Sequence, residues 1–151
     1  MSKEGAHIDR FDRHILDVIS TNGRITITEL ADRIGLSATP CKMRLRKLEA
    51  RGFITGYRAS VDQTKLGRSH ITFVQVCLSD TRDAALKAFN EAALRIPEIE
   101  ECHMIAGGFD YLLKVRTSDI AEYRAVLGTV LSALPHVSNT TTFVAMEAVR
   151  E

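Results

Sequence analysis

The segment from residue 27 to residue 51, ITELADRIGLSATPCKMRLRKLEAR, decides how the first part of this chain folds. Its pattern predicts two helices joined by a sharp turn. Thr26 and Glu29 have the spacing of a capping box, in which side chains satisfy the free backbone N–H groups at a helix start. Gly35 can adopt the left-handed conformation that ends a helix. Ser37 is a suitable N-cap for the second helix.

The second of these helices has two different faces when its residues are spaced at roughly 100° around the axis. One side carries Cys41, Leu45 and Leu48. The opposite side and the flanks carry Thr39, Met43, Arg46, Lys47, Ala50, Lys42 and Arg44. A short helix, a glycine turn and a second helix with a basic outer face are typical of the helix-turn-helix, whose second helix enters the major groove. The alternative is an ordinary amphipathic helix with a solvated basic face.

The sequence on either side of this pair completes a larger unit. Ile8 to Ser20 predicts a first helix with Asp9 as its cap. Ile54 to Val61 alternates and contains β-branched residues, which predicts a short strand or wing. Asp62 to Arg68 predicts a connector. Three helices and a wing together predict a winged helix-turn-helix.

The second part of the chain alternates strand-like and helix-like segments. It predicts strands at 70–78, 100–106, 111–116 and 137–149, and helices at 82–96 and 118–134. Gly107-Gly108 predicts a hairpin between the second and third strands. The order βαββαβ predicts a ferredoxin-like domain, and hence an α+β protein.

Two helices can cover only one face of a four-stranded sheet. Ile71, Phe73, Leu112 and Val144 are strand positions of opposing parities, and they leave apolar area on the second face. Pairing of two subunits would cover that area, which predicts an oligomer.

Charge is divided unevenly along the chain. Residues 1–68 carry 13 Lys and Arg against 8 Asp and Glu, a net +5, whereas residues 69–151 carry 7 against 11, a net −4. A basic first part beside an acidic second part predicts that the first part binds a polyanion and that the second has another task.

Several classes of protein are disfavoured. No apolar run approaches the roughly 20 residues that span a bilayer, and Met1 to Arg13 is charged and lacks the core of a signal peptide, so we expect a cytosolic, cytoplasmic protein without a membrane partner. Three cysteines without CxxC spacing predict neither a disulfide framework nor a metal site. Nucleophile-elbow, P-loop and zinc-protease motifs are missing from the sequence, so we expect no enzyme and no cofactor.

The runs GLSATPCKMRLRKLEARGFITGY (35–57), VDQTKLG (61–67) and AGGFDYLLKV (106–115) resemble the Lrp/AsnC family, also called feast/famine regulators. The resemblance covers nearly the whole chain. It implies a DNA-binding domain at 1–61, a connector at 62–69, and at 70–151 a ferredoxin-like, RAM-type domain that senses small molecules, usually amino acids. It also implies double-stranded DNA as a partner, homodimers that assemble into tetramers or octamers, and regulation of amino-acid metabolism genes.

The resemblance assigns two sets of site residues. The family's recognition helix falls on residues 37–51, which makes the DNA-facing candidates Ser37, Thr39, Pro40, Lys42, Arg44, Arg46 and Lys47. The helical wheel adds Met43, whose thioether is a suitable apolar contact for a thymine methyl group.

The family's effector pocket lies between C-terminal domains, around the loop Gly107, Gly108, Phe109, Asp110 and Tyr111, with Ser138 and Thr140 on the last strand. Paired glycines leave backbone N–H groups open to a carboxylate, and Asp110 could receive an ammonium group. The alternative is a plain hairpin beside a polar edge strand.

Two other functions stay open from the sequence alone. The chain could be an architectural DNA-binding protein that multimerises and wraps DNA without an effector. The weaker alternative is a small-molecule enzyme, built on the ferredoxin-like half, with an accessory DNA-binding domain.

Overall fold

The structure, a computed structural model, describes residues 8–149. The chain divides into two compact units, Met1–Ser60 and Val61–Glu151. Residues 1–7, 150 and 151 lie outside the described residues. They include about half of the charged stretch Met1 to Arg13 and the end of the predicted second domain. The predicted connector, 62–69, belongs to the second unit.

The first unit consists of three helices, α1 Arg10–Thr21, α2 Ile27–Ile34 and α3 Ala38–Ala50. The capping box of Thr26 and Glu29 is present, and Gly35 ends α2 in the left-handed conformation with φ of 73°, as predicted. The side chain of Asp9 accepts hydrogen bonds from the first turn of α1, which confirms the predicted cap. Ser37 occupies the N-cap position of α3, but its side chain makes no capping hydrogen bond.

A small apolar core holds these helices together. It consists of Ile15, Leu30, Ala31, Ile34, Cys41 and Leu48. Burying one Leu or Ile side chain contributes roughly 1.5–3 kcal/mol, so this core attaches α3 to the unit. Cys41 is completely buried, as the helical wheel predicts, and burial raises the pKa of its thiol.

The segment predicted as a short strand or wing, residues 54–61, does not form a strand. Residues 54–61 are irregular, and every strand that the structure describes lies at residue 70 or beyond. Alternation alone does not form a strand, because a strand needs a neighbour to pair with its backbone. The segment is instead fixed by Tyr57, whose ring lies beside Gly23 and whose hydroxyl donates a hydrogen bond of 2.8 Å to Glu49.

The second unit is the predicted βαββαβ fold. Its elements are β1 His70–Leu78, α4 Asp83–Ala93, β2 Ile99–Met104, β3 Tyr111–Thr117, α5 Ile120–Thr129, a 3-10 turn Leu131–Ala133, and β4 Val137–Val144. The strands form one antiparallel sheet in the order β2-β3-β1-β4. Apolar side chains from one face of the sheet pack with the two helices, and Phe89 and Tyr111 are the largest fully buried side chains of that core.

Element ends differ from the predicted ones for physical reasons. β4 ends at Val144 rather than Val149, because its partner β1 begins at His70 and the last ladder bond runs from the amide of Ala145 to the carbonyl of Ile71. β2 ends at Met104, and the amide of Ile105 donates to the carbonyl of Asp110 to close the hairpin.

The other face of the sheet carries apolar side chains that α4 and α5 do not cover. Phe73 pairs with Phe143 across β1 and β4, and their side chains are 37% and 49% exposed. Leu112 shares this face, which we call the open face, because it pairs with Gln75 two residues along β1. The assignment of Val144 to the uncovered face is wrong, since Val144 pairs with Thr72, whose side chain points to the helices.

Within residues 8–149, the helices are too short and too polar to cross a lipid bilayer.

Candidate DNA-binding surface and effector loop

The exposed face of α3 carries most of the predicted DNA-facing residues. Ser37, Thr39, Lys42, Met43, Arg46 and Lys47 are exposed, and Pro40 is half-buried. Helical geometry places Thr39, Met43 and Arg46 along one line of this face, flanked by the lysines. A methionine exposed over 55% of its surface is exceptional on a helix whose other large apolar residues are buried or half-buried. The face combines positive charge with one apolar side chain, as base readout in a major groove requires.

Arg44 departs from the predicted DNA-facing set. Its Nη1 lies 2.6 Å from a carboxylate oxygen of Asp9 and 2.8 Å from one of Asp12, so its charge is directed towards α1. Those contacts leave 31% of its side chain exposed. The hydrogen bonds that the guanidinium donates to Asp12 and Asp9 raise its pKa. The sequence places Arg44 on the flank of α3 but cannot show that two acids from another helix meet it there.

A cleft of about 330 Å³ runs beside α3 and includes one basic residue outside the predicted set. Pro40, Met43, Lys47 and Arg51 line it. Arg51 follows Lys47 by one helical turn, and its guanidinium lies 5.0 Å from the centre of the Phe53 ring. This i, i+4 spacing is the sequence signal that could have identified it.

The predicted effector loop is the exposed hairpin between β2 and β3. Ala106, Gly107 and Gly108 are exposed, and Phe109 is half-buried. A Cβ atom at Gly108 would meet nothing within 4 Å, and neither glycine has a positive φ. The backbone conformation therefore does not require glycine at these two positions. Because neither glycine has a side chain, the main chain of the loop is open to solvent.

Asp110 has a structural contact that the sequence does not reveal. Its Oδ2 accepts a hydrogen bond of 2.7 Å from the amide of Leu78, and its own amide donates to the carbonyl of Val76. These two bonds fasten the hairpin loop to the end of β1. The predicted role of Asp110 in receiving an ammonium group stays a prediction, and one of its two carboxylate oxygens is already bonded within the fold.

Tyr111 belongs to the core and not to the loop surface. It is 1% exposed, and its ring lies 4.3 Å from that of Phe89, centre to centre. Burial raises the pKa of its hydroxyl. Strand alternation turns the side chain of this first β3 residue towards the helices, so the side chain lies behind the loop, and its effector-binding role stays a prediction.

Ser138 and Thr140, the two effector-binding residues predicted on β4, lie beside the end of β1 that Asp110 also contacts. The pairing shifts between Cys77 and Leu78, where Asn139 and Val137 are the partners, so Ser138 is the extra residue of a bulge. Its hydroxyl donates to the carbonyl of Cys77, and the half-buried Thr140 pairs with Val76. Asp110 and Ser138 thus bond to consecutive residues of β1, Asp110 from the β3 side and Ser138 from the β4 side.

Sequence reasoning missed the polar residues that surround this bulge. Ser79 donates to the carbonyl of His136 through both its amide and its hydroxyl. His136 has φ of 63°, a positive value that few non-glycine residues adopt. The guanidinium of Arg82 beside Asp80 lowers the pKa of that carboxyl to about 2. Strained backbone near a bulge is a feature of functional sites, but the sequence carries no signal for it.

Comparison with known proteins gives a consistent assignment for both units. The profile of a winged helix-turn-helix DNA-binding domain matches residues 8–55, and that of the Lrp/AsnC ligand binding domain matches residues 71–151. A proline dehydrogenase transcriptional activator of Rhizobium radiobacter is 56% identical over 144 residues, which cover 95% of this chain and 92% of the relative. The leucine-responsive regulatory protein of Escherichia coli K12 is 44% identical over 149 residues, 99% of this chain and 91% of its own.

A solved structure has the same fold over almost the whole length. It is a transcriptional regulator of Neisseria meningitidis in complex with L-Met, with a TM-score of 0.90 and 27% sequence identity, covering 96% of this chain and 94% of the other. The profiles, the relatives and the shared fold lead to one conclusion: the chain belongs to the Lrp/AsnC family of DNA-binding transcriptional regulators.

Proposed function

We propose that this chain regulates genes of amino-acid metabolism by placing α3 in the major groove of a specific DNA sequence and by binding an amino acid, or a related small effector, at its C-terminal unit. The observation that carries the DNA-binding part is the exposed face of α3, with Thr39, Met43 and Arg46 in line between Lys42 and Lys47. In this account the side chains in line read base edges and the lysines contact phosphates. Catalysis has no part in it.

An experiment with two variants separates these roles. Arg46→Ala should cost about 1–3 kcal/mol of binding to a duplex enriched by the wild-type protein from a random pool, and should relax the base preference at one position. Lys42→Ala should weaken the binding of all duplexes alike, because a phosphate contact carries no sequence information. Equal losses on enriched and scrambled duplexes from both variants would contradict base readout by Arg46.

Support for an amino-acid effector comes from the exposed loop and from the L-Met complex of the Neisseria regulator. Gly107 and Gly108 present main chain that no side chain of their own covers, which suits the approach of a carboxylate. Since Oδ2 of Asp110 is bonded to Leu78, we assign the ammonium group to the other oxygen, Oδ1, together with backbone carbonyls. Phe109, Ser138 and Thr140 complete the proposed site, and Tyr111 supports it from the core.

The architectural alternative keeps one observation in its favour. Asp110 and Ser138 both make bonds that the fold itself uses, which a loop without an effector would also show. A thermal-shift screen of the twenty amino acids separates the two functions, because a ligand specific to the native state raises the melting temperature by mass action. No shift with any amino acid would favour the architectural function.

We further propose that the protein forms a homodimer, which assembles into a tetramer or an octamer, and that the open face is covered by a second copy. Phe73, Leu112 and Phe143 form the apolar part of this face, and Lys114 paired with Glu100 and Glu101 forms its polar side. An apolar centre with a charged rim is the composition of a subunit interface.

The relatives come from bacteria, in which the DNA lies in the cytoplasm. We therefore propose that this protein is cytoplasmic.

Substitution on the open face tests the dimer. Phe143→Lys should raise the dissociation constant of the dimer by about 100-fold or more, because an unpaired charge in an apolar interface costs several kcal/mol. Leu94→Lys is the matched control, since Leu94 is 85% exposed at the end of α4 and outside the open face. Sedimentation velocity at micromolar concentration measures both. A Phe143→Lys protein that sediments like the wild type would refute this interface.

A further inference from the structure

The two carboxylates that hold Arg44 each divide their oxygens between two tasks. Asp9 uses Oδ1 to accept from the amides of Phe11 and Asp12 at the start of α1, and Oδ2 to bind Arg44. Asp12 uses Oδ2 to accept from the amide of Asp9, and Oδ1 to bind Arg44. The cap of α1 and the ion pairs to α3 are therefore one cluster, which we call the Arg44 clamp.

We propose that Arg44 is a positioning residue that fixes the rotation of α3 against α1, and that it does not contact DNA. The proposal rests on the proposed function. Arg44 thus contacts α1 instead of a phosphate or a base. This contact keeps α3, which has few buried residues, at a constant rotation, so its exposed face is presented at a constant angle.

The packing of α3 shows why the Arg44 clamp is needed to fix the rotation of the helix. The buried residues of α3 are Cys41 and Leu48, with Leu45 half-buried between them. This narrow apolar stripe attaches the helix but resists rotation about its own axis poorly, because non-directional apolar contacts tolerate a small roll. Arg44 lies on the flank of the stripe, where its Cζ is 5.5 Å from the centre of the Phe11 ring and its Nη1 bridges both acids. Directional, charge-assisted hydrogen bonds at the flank oppose that roll.

The charge of the clamp supports the same conclusion. Two carboxylates and one guanidinium carry a formal net charge of −1, so the cluster offers no net positive charge to a phosphate backbone. A guanidinium that moved away from α1 to a phosphate would leave both acids unpaired, and Asp12 keeps only 13% of its side chain exposed to water. Removing one partner from a part-buried charge pair is costly.

A charge-matched variant of the full-length protein tests the proposal. Arg44→Gln combined with Asp12→Asn leaves Asp9 as the only charge of the clamp, so the net charge stays at −1. Both new amides can still accept or donate at the α1 cap. We expect the preference for a wild-type-enriched duplex over a scrambled duplex to fall about 10-fold, while the slope of log affinity against log salt stays unchanged. If Arg44 contacted phosphate, each subunit would lose about 0.9 of slope.

Two further variants keep the test decisive. Asp12→Asn alone replaces one of the two ion pairs of Arg44 by a weaker, neutral hydrogen bond, with minimal risk to folding. It should lower the preference for the enriched duplex, whereas a DNA-contacting Arg44 would bind every duplex more tightly with its preference intact. Lys42→Ala is the control that should lower the slope and keep the preference. A lower slope in the double variant, or an unchanged preference, overturns the proposal. Failure of the wild-type protein to enrich any duplex would instead refute the proposed function itself.

Discussion

Asp110→Ala should lower the free energy of unfolding of the C-terminal unit by about 1.5–3 kcal/mol, the usual contribution of a hydrogen bond to a charged group. The substitution leaves the amide of Leu78 without the carboxylate that accepts from it at 2.7 Å. It also removes one of the two bonds that fasten the hairpin loop to the end of β1, and leaves only the backbone bond from the amide of residue 110 to the carbonyl of Val76. Thermal unfolding and the hydrogen-exchange rate of the Leu78 amide measure the two effects.

Asp110→Asn is the matched control because its amide oxygen can still accept from Leu78. A neutral acceptor makes a hydrogen bond roughly half as strong as a charged one, so the Asn variant should recover about half of the lost stability. If Asp110 also binds the ammonium group of an amino acid, both variants should lose the thermal shift that the effector produces. An Asn variant that keeps the full shift would limit Asp110 to its structural role, and an Ala variant as stable as the wild type would refute that role.

The fold could be predicted because local patterns and tertiary packing agree along most of the chain. The capping box at Thr26 and Glu29 and the left-handed Gly35 place α2 within a residue, since both act through neighbouring backbone atoms. The apolar run His70–Leu78 identifies β1 at its observed bounds. The strand predicted at residues 54–61 does not form, because pairing partners are not encoded in a single segment.

The candidate sites were less predictable for a related reason. Arg44, Asp110 and Ser138 are polar residues whose partners lie 35, 32 and 61 positions away in the chain. A helical wheel or a loop motif shows which residues are polar, but not which of them the fold has already engaged. The burial of Tyr111 was not predicted, because one position of strand register decides whether a side chain joins the core or the surface. Met43 was predictable, since exposure on the wheel depends only on helical periodicity.

The most direct test of the central claim, that the exposed basic face of α3 contacts DNA, is the salt dependence of duplex binding. Each phosphate that Lys or Arg neutralises releases counterions, with a log–log slope near −0.9 per contact. A dimer that uses several such residues in each subunit should lose on the order of 10³-fold in affinity between about 50 and 200 mM salt.

The measurement compares the wild type with the triple variant Lys42→Ala, Arg46→Ala, Lys47→Ala. These three side chains are exposed on α3 and outside the apolar core, so the variant should keep the wild-type melting temperature. We predict a steep wild-type slope that becomes shallower by about 0.9 for each phosphate contact removed. A flat wild-type response, or a triple variant with the wild-type slope, would show that this face of α3 does not contact DNA.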